Sequence, residues 1–531
     1  MRSRRAEHSP GNRVWVRAPI KIPTIRAGFS FLPGNLLINS NNRLNATTAV
    51  SLFLLSYSVL LVGGGAFVLQ DPDTLWHIRT GQWILLHARV PTVDLYSYTA
   101  AGRPWISTEW LAETVYAAAF NLGGWRAVAI VAIAACSAIV GILCFYLLRH
   151  LRFTIAVGWA AAAAAATSPH FIARPHILSY VILAVWIISL LDAYDEENPD
   201  LPPLAILAPL MILWANIHGS FTFGLTTLYI FTVFCLHHYF VRRNYVKCRR
   251  LAIVAAVITL CSFLTPYGIL PALMTTKLVS MKFALSYIVE WQSPNFQETL
   301  YRPIYLTAIL SLIAGLGVRL RGARLVTYAL ITFTGLRYIR GLLMFFFVVP
   351  ILLARPVGAS AWYFARQLPG MKTAEGEEAS DPILNFLQKR SSVVLATCAA
   401  LAIVMTASTW WRQDIAPPKA NMPEAALDFV RSKNITGNVF NDYLFGGYLI
   451  WSGVPTFIDG RAELFGDDFV HAYAQTVTVA DINKAFALLD DYKVNWVILE
   501  PKEPLAKAIT RGKWDEAYSD QYAVVFVRRP Q

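Results

Sequence analysis

Cysteine is scarce in this sequence and poorly placed for cross-linking. Cys136, Cys144, Cys235, Cys248, Cys261 and Cys398 fall in apolar runs or a basic loop, form no C-x-x-C pair, and are missing from the polar C-terminal region. This pattern supports neither a disulfide framework nor a cysteine zinc site. Charge is also thin: 15% of the 531 residues are Asp, Glu, Lys or Arg, against 56% hydrophobic, and the mean hydropathy is +0.46. A soluble domain carries about 25% charged residues, so a soluble fold is excluded. Repeated apolar runs of bilayer length make the chain a polytopic membrane protein. The C-terminal region has no glycine-rich phosphate loop and no nucleophile elbow.

What charge there is has a direction. The formal net charge of +13 suggests nucleic acid at first sight, but Lys and Arg lie mostly in short connections between apolar runs, as the orientation rule for inner membranes requires. A nucleic-acid partner is therefore not expected. Residues 1–45 are basic, through Arg2, Arg4, Arg5, Arg13, Arg17, Lys21, Arg26 and Arg43, and read as a cytoplasmic tail.

Taking the chain in order, Ala46 to Leu69 is the first span, running outward, and 70–124 is a large outer loop. Further spans are expected over Trp125 to Leu148, Phe153 to Ser168, Ile177 to Leu191, Pro203 to Ala215, Phe221 to Phe240, Leu251 to Leu264 and Ile304 to Val318. Leu325 to Leu353 reads as a tight hairpin of two helices, because a single helix would bury Arg337 and Arg340 in hydrocarbon. Arg355 to Arg390 is a polar cytoplasmic connection, and Val393 to Trp410 is the last span. The total is about eleven helices, N-terminus inside and C-terminus outside. From about Arg412 the composition becomes that of a soluble domain, so 412–531 is expected to be a small, self-contained extracytoplasmic α/β domain.

The most informative stretch is Asp71-Pro72-Asp73-Thr74-Leu75-Trp76-His77, directly after the first span. Asp71 suits a helix cap and Pro72 the first helical position. Asp73 and His77, four apart, share one face, while Trp76 and Trp83 share another suited to the lipid headgroups. Asp71 and Asp73 also fit the plain roles of a cap and of an acid favoured by the helix dipole. Arg79, Glu109, His218, Glu290, Arg337 and Arg340 are the other polar groups near outward helix ends. Arg337 and Arg340 are taken to share a helical face.

These motifs carry a resemblance. The first-loop acids with Gly81 and Trp83, then Pro91, Asp94, Ser97 and Trp105, are part of it. Glu109-Trp110-Leu111, Trp214-Ala215-Asn216-Ile217-His218-Gly219, Pro266-Tyr267-Gly268, Glu290-Trp291 and Phe457-Ile458-Asp459-Gly460-Arg461 complete it. Together they resemble the GT-C superfamily of integral-membrane glycosyltransferases, and more closely the bacterial, mannosyltransferase-like group. The resemblance implies transfer of a sugar from a polyprenyl-phosphate donor to a glycan, lipid or protein acceptor outside the cytoplasmic membrane. It implies Asp73 as base, Asp71 as second carboxylate or ligand of Mg2+ or Mn2+, and His77 orienting Asp73 or touching phosphate. It also implies Arg79, Glu109, His218, Glu290, Arg337 and Arg340 as substrate-binding groups. Asp459-Gly460-Arg461 reads as a turn with a local ion pair.

Two readings of other classes stay open. One is a non-catalytic transporter or scaffold of envelope polysaccharide or lipid assembly, although the polar groups cluster at outward helix ends and no internal repeat is evident. The other is an O-antigen-ligase-like transferase, which would rest on outer-loop arginine and histidine.

Overall fold

The computed structural model describes residues 40–194, 198–295, 297, 308–309, 311–312, 318–367, 382–412, 414–511 and 513–529. The expected tail up to residue 39, and most of the expected span from Ile304 to Val318, lie outside the described residues.

Helices follow the apolar runs. They are α1 (Ser40–Gly64), α2 (Asp73–His87), α3 (Trp110–Leu148), α4 (Phe153–Thr167), α5 (Pro175–Ala193), α6 (Leu204–Ile217), α7 (Phe221–Val241) and α8 (Tyr245–Cys261). The short α9 (Leu270–Ser280) and α10 (Lys282–Tyr287) follow, then α11 (Gly322–Arg337), α12 (Ile339–Gln367) and α13 (Pro382–Trp411). Among the described residues five helices are long and apolar enough to cross a membrane: Trp110–Leu148, Pro175–Ala193, Phe221–Val241, Ile339–Ser360 and Lys389–Trp411. Ala46–Val62 and Leu204–Ile217 are apolar but shorter. The helices are apolar nearly all round, the pattern of a membrane span or a buried helix. Their common core includes Trp186 and Trp214, whose rings meet edge to face at 5.8 Å.

Three features differ from the sequence reading. The end of the expected outer loop and the span from Trp125 are one element, α3, bent where Gly123 and Gly124 leave helical geometry; Gly124 has φ +62°. Second, α11 and α12 do pack as two helices, but Tyr338 between them is extended (φ −133°, ψ 133°). Arg337 and Arg340 thus belong to different helices and share no face. Third, the expected polar connection from Arg355 to Arg390 is helical through Gln367 and again from Pro382.

The C-terminal segment carries a four-stranded sheet in the order β1 (Asn438–Asn441), β2 (Val494–Leu499), β4 (Val524–Arg528), β3 (Trp514–Ser519). β1 and β2 are parallel, and the other two pairings are antiparallel. Side chains alternate between the faces of a strand, so Val497 and Phe526 look one way while Trp496, Ile498 and Val525 look the other. Both faces are covered, and not by C-terminal residues alone. Leu75 of α2 joins the cluster on one face; Trp76, Trp105 and α10's Ala284 join the other. The expected self-contained core is therefore shared with α2, α10 and the first loop.

The first loop is stitched to this segment. Its own turn is closed by Asp94 N–H donating to Arg103 at 2.8 Å and Trp105 N–H donating to Thr92 at 3.1 Å. Residues 96–99 then run alongside 456–457: Tyr98 N–H donates to Thr456 at 3.1 Å, Thr456 N–H to Tyr96 at 3.0 Å, and the Thr99 hydroxyl to Phe457 at 2.6 Å. Thr456 pairs here as an isolated bridge to Ser97 rather than within the sheet.

Candidate functional site

A cavity of about 300 Å³ lies where α2, the start of α3, the turn before α5, the turn between α6 and α7, and the start of α12 converge. Its polar lining includes Asp73, His77, Glu109, Glu113, Arg174, His218 and Arg340.

Local chemistry places the two first-loop acids. Asp71 Oδ1 accepts the Asp73 N–H at 2.8 Å, tying off one of the open donors at the start of α2. Its Oδ2 faces Arg174 Nε at 3.2 Å, while Asp73 pairs with Arg174 Nη2. Arg174 Nη1 pairs with Glu290, whose other oxygen meets Arg340. One guanidinium therefore gathers three carboxylates from two separate stretches of chain. It can do so because the turn before α5 is fixed: Ala173 N–H donates to Val68 at 2.6 Å, the Thr74 hydroxyl to Ala173 at 3.0 Å, and the Tyr116 hydroxyl to Arg174 at 3.2 Å. Burial opposes ionisation of Glu290, but Arg174 and Arg340 outweigh it and hold its carboxyl at about 2. For Asp71 burial wins over Arg174, and its carboxyl is pushed up.

A second chain of groups lines the same cavity. His77 Nδ1 lies 3.1 Å from Glu113 Oε1 and its Nε2 lies 3.4 Å from Glu109 Oε2; Glu109 Oε1 then meets His218 Nε2 at 3.2 Å. Ser107 donates to Glu113 Oε2 at 2.6 Å. Burial keeps His77 below its ordinary value and, with Arg340 and Arg174 nearby, takes His218 to about 3. Burial also raises the Glu109 carboxyl to about 7.

The C-terminal segment supplies the third wall. Arg461 is fully buried, bonded to Asp459 at 2.7 and 2.8 Å and to Asp94 of the first loop at 2.7 Å, with Trp105 4.6 Å from its charge. The ion pair expected to be local thus reaches across to the first loop. Gly460, beside it, lies against the Asp73 carboxylate so closely that a β-carbon there would overlap it.

Of the residues expected from sequence, Asp71, Asp73, His77, Glu109, His218, Glu290 and Arg340 come together here. Arg79 does not: six residues past Asp73, it lies about 120° round the helix and is exposed. Arg337 is also exposed, with its Nε donating to the Tyr338 hydroxyl at 3.1 Å. Trp76 does not reach outward to headgroups; it is buried, its ring centre 3.7 Å from that of His77 with the planes tilted by 33°. Arg174 and Glu113 are site residues that the sequence reading left out. Arg174 had a signal in the Arg174-Pro175-His176 turn, and Glu113 in its spacing from Glu109. Elsewhere among the described residues, Asp442, Glu500 and Glu503 bring three carboxylates close enough to hold an ion.

No protein-family model and no curated protein sequence matches the chain. Solved structures do. Oligosaccharyltransferase AglB from Archaeoglobus fulgidus, in complex with an inhibitory peptide and a dolichol-phosphate, superposes over 86% of this chain and 69% of its own, with TM-score 0.51 and 9% identity. The apo form of the oligosaccharyltransferase from that organism gives the same coverage, TM-score 0.50 and 11% identity. A looser match is ArnT from Cupriavidus metallidurans bound to undecaprenyl phosphate, over 91% of this chain and all of that one, with TM-score 0.45 and 13% identity. The chain therefore has the fold of these archaeal oligosaccharyltransferase structures, with its apolar helices and first-loop acids meeting at the cavity.

Proposed function

We propose that the protein transfers a sugar from a polyprenyl-phosphate donor to an acceptor hydroxyl on the outer face of the cytoplasmic membrane. The observation that carries this reading is the joining of Asp73, Glu109, His218 and Arg340 around one cavity at the ends of apolar helices. The dolichol-phosphate held in the AglB complex supports a lipid-linked donor. The basic short connections support an outward-facing cavity and a cytoplasmic N-terminus.

In this reading Asp73, aligned by Arg174, takes the acceptor proton. The acceptor oxygen forms a bond to the anomeric carbon, and the bond from that carbon to the phosphate oxygen breaks with its electron pair leaving on phosphate. Arg340 meets the departing phosphate, and Glu290 is the group it exchanges for. Trp76 lines the cavity, and its buried indole N–H has no partner among the described residues; it is a donor left for substrate. The acceptor's class, whether glycan, lipid or protein, is read at the wall formed by Gly460, Arg461 and Glu463.

One observation favours a second assignment of the base. Glu109 sits at about 7, and a general base works best near the operating pH. The test is to incubate the purified protein with polyprenyl-phosphate sugars and acceptors, comparing wild type with Asp73→Asn and Glu109→Gln. Loss in Asp73→Asn alone supports Asp73; loss in Glu109→Gln alone moves the base to Glu109. Wild type inert toward every donor would sink the transferase reading and favour a transporter or scaffold.

A further inference from the structure

Arg174 lies at the meeting point of Asp71, Asp73 and Glu290. Its three guanidinium nitrogens each meet a different carboxylate, with Nε 3.2 Å from Asp71 Oδ2, Nη2 on Asp73 and Nη1 on Glu290. Mg2+ needs carboxylate oxygens at about 2.0–2.1 Å in a near-octahedral shell. One oxygen of each carboxylate points at a planar organic cation instead, while the second oxygen of Asp71 is taken by the Asp73 N–H and that of Glu290 by Arg340. The guanidinium cannot shed its charge, its side chain is only 11% exposed, and the turn that carries it is pinned to Val68, Thr74 and Tyr116. It is a built-in cation that neither dissociates nor deprotonates.

We propose that Arg174 replaces a divalent ion at this cavity: the guanidinium aligns and partly neutralises Asp71, Asp73 and Glu290, and these carboxylates form a cation site that is exposed only when Arg174 is removed. Mg2+ or Mn2+ at Asp71, as the sequence resemblance implied, does not fit while Arg174 is in place. The inference goes beyond the transferase reading, and its test reads ion binding rather than turnover, so either can fail without the other.

The test uses the full-length protein in detergent, with Mn2+ as the probe. Binding is followed by the paramagnetic resonance signal of free Mn2+ and by thermal melting. Every variant carries Asp442→Asn, so that ion uptake at Asp442, Glu500 and Glu503 does not enter. With Arg174 present, the Mn2+ titration should match that of Asp71→Asn. Arg174→Ala should melt lower in chelator, recover with Mn2+, and gain about tenfold or more in Mn2+ affinity, a gain lost in the double variant with Asp71→Asn. Mn2+ uptake by the Arg174-containing protein that Asp71→Asn abolishes would overturn the proposal. So would a folded Arg174→Ala with no gain. If Arg174→Ala does not fold, the comparison with Asp71→Asn still decides the matter. Arg174→Lys, whose single ammonium cannot hold three carboxylates, supplies the partial gain expected of a weaker substitute.

Discussion

Asp73 and Glu109 make different predictions although both are carboxylates on one cavity. If Asp73 is the base, Asp73→Asn should cut transfer by about a hundred- to ten-thousand-fold while the protein inserts and melts as a folded species, as a sugar-transfer assay beside a melting curve would show. Glu109 governs a pH dependence of stability. Its carboxyl rises from an ordinary 4.5 to about 7 on folding, so the native state holds more protons than the unfolded chain between those values, and stability falls as pH rises through that window. Glu290 acts with the opposite sign, being lowered from 4.5 to about 2, and its contribution is lost as pH falls through that lower range. Melting curves of Glu109→Gln from pH 4 to 8 should show the upper slope flattened, and an unchanged slope would refute the assignment. These residues also mark how far the sequence was legible. The spacing of Asp73 and His77 put them on one face because it stays within a single helix. Arg174 lies about a hundred residues away in a short turn, and nothing local says that its charge reaches Asp71, Asp73 and Glu290 together. Arg79 and Arg337 were misplaced for the same reason in reverse: their proximity was read along the chain, whereas a six-residue step and a break at Tyr338 turn them outward.

At the scale of elements, helices were readable and their joints less so. Long apolar runs gave α1 and α3 to α8 because composition alone decides whether such a segment can sit in lipid. Joints depend on packing. Gly341 shows this: a β-carbon there would collide with the Thr334 carbonyl of the preceding helix, so the α11 and α12 hairpin requires glycine. Gly341→Val should spread the hairpin and shift Arg340 from Glu290, and we expect a lower melting temperature together with weaker donor binding. A strand with little apolar character is harder still to see. β3 reads Trp-Asp-Glu-Ala-Tyr-Ser and is mostly exposed at the edge of the sheet, where charged residues discourage further pairing, and no alternation betrays it. The buried Arg461, Asp94 and Asp459 triad joins two elements that sequence kept apart. Asp94→Ala removes one partner of a buried ion group and should cost about 3–5 kcal/mol, measurable as a drop in denaturation midpoint; a change within error would mean that the loop and the C-terminal segment are not energetically joined.

For the whole molecule, the sequence supported membrane helices followed by a polar unit, but not the extent to which the two share cores. Leu75 and Trp76, neighbours on α2, reach opposite faces of the C-terminal sheet, a relation that no sequence pattern encodes. Orientation can be checked directly. In a background without native cysteines, single cysteines at the exposed positions Arg103 and Lys433 should react with an impermeant maleimide in intact cells, and one at the exposed Arg243 only after the membrane is opened. Labelling of Arg243 together with protection of Lys433 would invert the proposed topology.

Gly460 and Arg461 come late in the chain, yet Gly460 lies against Asp73 near its beginning. Since a nascent protein emerges from its N-terminus, all the helices can be threaded into the bilayer before the last wall of the cavity exists. An unfinished or prematurely terminated chain would carry its acids and its arginine in the membrane with one side open to water. Synthesis itself would then act as a safety catch, keeping the site unassembled until translation has passed the final helix and the sheet has docked.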